Sequence, residues 1–85
     1  MNMLKNIIEY YPNEEIIKAN GLDDAVIGIE VNSIRLIYSS TKIIEILMIQ
    51  NNMELEDALE YYEFNIVGAY IGEKTPIYCD DMYLN

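Results

Sequence analysis

Histidine and tryptophan are missing from this 85-residue chain, and cysteine occurs once, at Cys79. Without histidine there is no side chain that titrates near neutral pH unaided, and with one thiol there is neither a structural zinc ligand set nor a Cys-His nucleophile pair. A lone cysteine also forbids an intrachain disulfide, so the fold must rest on its core, as in proteins of a reducing, cytoplasmic compartment. Cys79 is read as inert. Basic residues are nearly as scarce: four lysines and Arg35 oppose fifteen carboxylates, a formal net charge of −10. A field of that sign repels phosphates, which argues against direct contact with nucleic acid or an anionic membrane and favours a basic protein surface as partner. Long apolar runs are absent too. The opening stretch Met1–Ile8 is interrupted by Glu9 and Pro12, and no segment approaches the roughly 20 residues of a membrane span. No glycine-rich phosphate loop occurs. No metal and no cofactor is therefore expected.

What is abundant is isoleucine, leucine and valine. The apolar fraction of 52 % is high for so short a chain and predicts one ordered domain spanning residues 1–85. Apolar residues at 4, 7, 8 and 11 predict a short helix ended by Pro12 and Asn13, with a further turn over Glu14–Ala19 and a left-handed cap at Asn20-Gly21. From Ala25 the pattern changes to β-branched residues around Gly28, where a helix would be penalised by about 1 kcal/mol. Residues 25–31 and 34–38 are read as a β-hairpin with Asn32-Ser33 as a two-residue loop.

Ser39, Ser40 and Thr41 offer three candidate N-cap hydroxyls for a helix over Lys42–Gln50 that is apolar on almost every side. Such a helix must be covered on several faces, within the domain or by a second copy. Leu55, Ala58, Leu59, Tyr62, Ile66, Ala69 and Tyr70 set out the stripe of a last, long helix, Glu54–Tyr70. Tyr61, Phe64 and Gly68 form a flanking row that is either more core or an exposed aromatic strip. Thr75–Cys79 is a short strand, held to an edge by Pro76, that adds to the hairpin to complete a three-stranded antiparallel sheet. The tail from Asp80 to Asn85 is expected to pack loosely. The predicted class is α+β, a small antiparallel sheet against two main helices with a short helix in front.

The strings Gly21–Gly28, Leu36–Ser39, Lys42–Met48 and above all Asp57–Tyr78 resemble a family of small proteins of unassigned function found in bacteriophages and large DNA viruses. The resemblance spans roughly residues 21–80. Its members open the last long helix with a serine and an acidic residue three positions on, a capping box. Glu54 stands at the serine position and Asp57 at the acidic one, so the box is lost here and Asn52 becomes the alternative cap. A phage setting implies an inhibitor directed at a host protein in the host-cell cytoplasm, one that binds nucleic acid or takes part in defence.

Three functional classes follow from the residues. The preferred one is a non-catalytic interaction module in which Glu56, Glu60 and Glu63 steer toward a basic surface while Tyr61 and Phe64 supply the buried anchor. The second is a small-molecule-binding protein, sequestering or sensing, or a small enzyme; Glu63 and Asn65 beside Gly68, with Glu73, would have to line its pocket. The third is self-assembly, with a homodimer burying part of Lys42–Gln50 or the Tyr61–Phe64 strip. Asp23-Asp24 is read as turn or cap chemistry, because neighbouring side chains diverge and no third acidic ligand is near in sequence.

Overall fold

The computed structural model describes residues 3–83. Helix α1 (Met3–Tyr10) leads through a turn into an irregular segment, not the turn of helix expected over residues 14–19, and Gly21 takes the predicted positive φ of 79° in a turn with no helix before it. A 3₁₀ turn at Asp23–Ala25 then delivers the chain into strand β1 (Val26–Glu30), which pairs antiparallel with β2 (Arg35–Ser39). The hairpin is as expected, but its loop has four residues. Glu30 accepts hydrogen bonds from the Ser33 amide at 2.7 Å and the Ser33 hydroxyl at 2.6 Å, and the Ile34 amide closes on the Glu30 carbonyl at 2.8 Å. That fastening puts the left-handed residue of the loop at Ile34, φ 54°.

Helix α2 (Ser40–Gln50) starts directly from β2, and Ser39 is its cap: the Ser39 hydroxyl accepts from the Lys42 amide at 3.1 Å. Ile43, Ile44 and Leu47 are buried against β2, the 3₁₀ turn and the next helix, α3 (Leu55–Tyr61), while Met48 and Ile49 face outward. Neither Glu54 nor Asn52 caps α3 with its side chain; Asn52 instead takes a positive φ of 59° in the connecting turn.

The long helix expected over Glu54–Tyr70 is two pieces. After Tyr61 the chain continues as a π-helical segment, Tyr62–Val67, whose end is marked by the Gly68 amide bonding five residues back to the Glu63 carbonyl at 3.2 Å. Ala58 and Tyr62, joined by the Tyr62 amide bonding to the Ala58 carbonyl, are buried, and Ile66 packs beside them. Three members of the expected stripe lie at the surface: Leu55, at the start of α3, is 53 % exposed, and beyond the π segment Ala69 is exposed and Tyr70 is 77 % exposed.

Strand β3 (Ile77–Cys79) completes a sheet of order β1-β2-β3. The α+β class and the short leading helix stand. The third strand, however, is parallel to β2, with Ile37 opposite Ile77 and Ser39 opposite Cys79, so the sheet is mixed and not wholly antiparallel. The reason lies in the connection: α2, α3 and the π segment intervene, and a helical crossover returns the chain in the direction it left. Two of the five basic residues fix the approach. Lys74 donates to the Ser33 carbonyl at 2.6 Å and Arg35 to the Thr75 carbonyl at 3.2 Å, tying the entry of β3 to the hairpin loop.

Beyond β3 the tail is held rather than loose as far as Asp81. Its carboxylate accepts from the Ser39 hydroxyl at 2.6 Å, the Ser40 hydroxyl at 3.0 Å, and the amide and hydroxyl of Thr41 at 2.9 and 2.8 Å. Met82 and Tyr83 are exposed, and the end of the expected tail, Leu84 and Asn85, lies outside the described residues.

Ala25, Leu36, Tyr38 and Ile43 are wholly buried at the centre of the core. Tyr38, Tyr78 and Tyr62 form an aromatic chain through it, with ring centroids 5.8 and 6.2 Å apart, and the Tyr38 hydroxyl is satisfied by the Ala19 amide at 2.8 Å. Burial raises all three phenol pKa values. Among the described residues no helix is long and apolar enough to cross a membrane.

Candidate functional site

Glu56, Glu60, Tyr61, Glu63 and Phe64 are all exposed. The structure gathers three of them. Glu60, Tyr61 and Phe64 surround a shallow cleft with Met53, Asp57 and Asn65. Glu56 lies at the start of α3, beside Glu54, Leu55 and Asp57, and Glu63 lines neither place. Asp57, four residues before Tyr61, is the carboxylate that the sequence reading left out of its site. Helical spacing held the signal, because residues 57, 60, 61 and 64 fall three and four apart.

The acidity of this face is uncompensated. None of Glu54, Glu56, Asp57, Glu60 and Glu63 is ion-paired among the described residues. Glu56 and Asp57 sit in the first turn of α3, where the helix dipole favours them; Glu60 is at the far end and gains nothing from it. Phe64, beside Glu60 in the same cleft, is 72 % exposed. An exposed phenylalanine costs hydration free energy in the free protein and becomes favourable only when something covers it.

A second, deeper cleft adjoins the first and shares Tyr61 and Asn65 with it. It holds about 310 Å³ between the C-terminal half of α2, the π segment and the Ala19–Leu22 turn, and Tyr78 of β3 lines it as well. Leu22, Leu47 and Ile66 give it an apolar lining, and the carboxamides of Asn20, Gln50, Asn51 and Asn65 form its polar part. Of the residues weighed from sequence as a possible pocket, Asn65 belongs to it, while Glu63 and Glu73 do not. The other amides give no sequence signal, because asparagine or glutamine at a turn or helix end reads as local chemistry.

Asp23 and Asp24 belong to the 3₁₀ turn, as expected of turn residues, and Asp23 is paired with Lys18 at 3.4 Å. Its other oxygen, Oδ1, is buried without a hydrogen-bond partner. Among the described residues no three acidic or thiol side chains converge as metal ligands. No protein-family model, curated protein or solved structure matches the chain.

Proposed function

We propose that this chain is a non-catalytic interaction protein that uses the outer face of α3 and the π segment to hold a basic segment of another protein. The observation that carries the reading is the meeting of unpaired carboxylates, Asp57 and Glu60, with exposed aromatic side chains, Tyr61 and Phe64, around one cleft. Carboxylates speed encounter with a basic surface, and burial of the rings then slows release. The resemblance to small phage and viral proteins points to the partner as a host protein, in the host cytoplasm, that binds nucleic acid or serves in defence. On this reading the chain blocks the partner's basic cleft.

The test compares capture from host lysate on the immobilised wild type and on a Glu60→Gln/Phe64→Ala double variant. Both positions are exposed, so the variant is expected to fold normally. A protein retained by the wild type, released by rising salt and retained at least about tenfold less by the variant is the expected result. Identical protein profiles on the two columns would overturn the reading.

A homodimer is the second arrangement, favoured by one observation: among the apolar residues of α2, Ile49 is 74 % exposed with Met48 beside it, also exposed. Two copies each carrying −10 repel one another, so salt is expected to strengthen the dimer by screening. Light scattering at about 100 μM, with a Debye length of about 30 Å and again of about 8 Å, reads this directly. A monomer under both conditions removes the dimer.

A further inference from the structure

The deeper cleft has a chemistry opposite to that of the chain around it. Twenty of the 85 residues are charged, yet no Lys, Arg, Asp or Glu lines this cleft. What lines it instead is amide and phenol. A carboxamide offers two donors and an acceptor, and none of the four at this cleft is engaged by a side-chain hydrogen bond among the described residues. A ligand entering here would displace water and break no internal bond. Tyr61 and Tyr78 add aromatic rings beside an apolar lining.

Each feature narrows the occupant. A cation is ordinarily held by carboxylates, and none lines the cleft. An anion is opposed by the net charge of −10 and by Asp57 and Glu60 in the adjoining cleft. A purely apolar ligand has no use for four free amides. An uncharged, planar molecule with alternating donors and acceptors along its edge fits what remains: asparagine and glutamine amides pair two hydrogen bonds at a time with base edges, and tyrosine rings stack on bases. The volume of about 310 Å³ lies at the small end of ligand sites and suits one base with its sugar.

We propose that this cleft binds an uncharged nucleobase or nucleoside, its edge read by Asn20, Gln50, Asn51 and Asn65 and its ring placed by Tyr61 and Tyr78. The site discriminates against the corresponding nucleotide, because a phosphate would enter the acidic field around it. It stands apart from the partner-binding face in function even though Tyr61 and Asn65 border both.

The experiment uses the free, isotope-labelled chain and needs no partner, so its outcome is separate from that of the lysate capture. Adenosine, guanosine, cytidine and uridine are titrated one at a time to about 5 mM, each beside its monophosphate, while the side-chain amide resonances of asparagine and glutamine are followed. At least one nucleoside is expected to shift the amides of the cleft saturably, with Kd below about 1 mM, and its monophosphate to bind several-fold more weakly at low salt. Asn65→Leu and Gln50→Leu, both at exposed positions, are each expected to weaken that binding at least about threefold while the thermal melt stays in place. The proposal is overturned if none of the four shifts those amides, if the monophosphate binds as tightly, or if both variants bind like the wild type.

Discussion

Leu47→Ala is expected to lower the unfolding free energy by about 2 to 5 kcal/mol, and Leu59→Ala by no more than about half as much. Leu47 is 3 % exposed inside α2, so truncation removes its transfer energy and leaves a cavity that its neighbours fill only in part. Leu59 is half-buried and packs at the margin of the core, because the line that turns inward runs through Ala58, Tyr62 and Ile66. The two substitutions together test which face of α3 turns to the core. In a protein with about 5 to 15 kcal/mol of stability, and at the low end for a chain this short, Leu47→Ala removes a large share of the total. Urea denaturation at neutral pH reads both midpoints. A Leu59→Ala midpoint as low as that of Leu47→Ala would mean that Leu59 itself turns into the core beside Ala58.

The elements that were legible in the sequence are those fixed by neighbours in the chain. The β-branched run around Gly28 announced β1, the hydroxyls at 39–41 announced the start of α2, and Gly21 announced a positive φ, all through interactions a few residues long. The direction of β3 was not legible. A three-residue strand carries no orientation signal, and its partners lie 40 positions away, Ile37 against Ile77. The π segment was invisible for a related reason: its composition suits an α-helix equally well, and the packing of Tyr62 against Tyr78 is a contact distant in sequence.

The acidic and aromatic face could be read in part, since residues three and four apart on a helix share a side, which joined Glu60, Tyr61 and Phe64. Glu63, included for the same reason, lies in the π segment and does not line their cleft, while Asp57 does. Of the neutral cleft, only Asn65 could be read. Its four amides come from three separate segments, the turn before the 3₁₀ turn, the end of α2 and the π segment, and only folding brings them together.

Asp81→Ala is expected to cost about 2 to 4 kcal/mol, the loss of several charge-assisted hydrogen bonds and the stranding of hydroxyls that they satisfied. Ser39 and Ser40 are 1 % and 0 % exposed, so water cannot readily replace the carboxylate. The same carboxylate lies at the N-terminal end of α2, where unpaired amides and the helix dipole favour negative charge, and it follows β3 by two residues. One side chain thus joins the end of the sheet to the start of the central helix. The hydroxyl of Ser39, the amide of Thr41 and the hydroxyls of Thr41 and Ser40 hold the Asp81 carboxyl well below the usual carboxylate range. A group whose native pKa is depressed contributes stability that is fully present above its unfolded value, about 3.9, and is lost as pH falls toward the native value. The gap in unfolding free energy between wild type and Asp81→Asn should therefore be constant from neutral pH down to about pH 5. Below about pH 4 it should narrow as the native carboxylate is protonated. Urea titrations of the two proteins at stepped pH measure that gap directly, and subtraction removes what the other carboxylates contribute to both. A gap that stays constant into acid would show that the clamp works by shape alone and not through its charge.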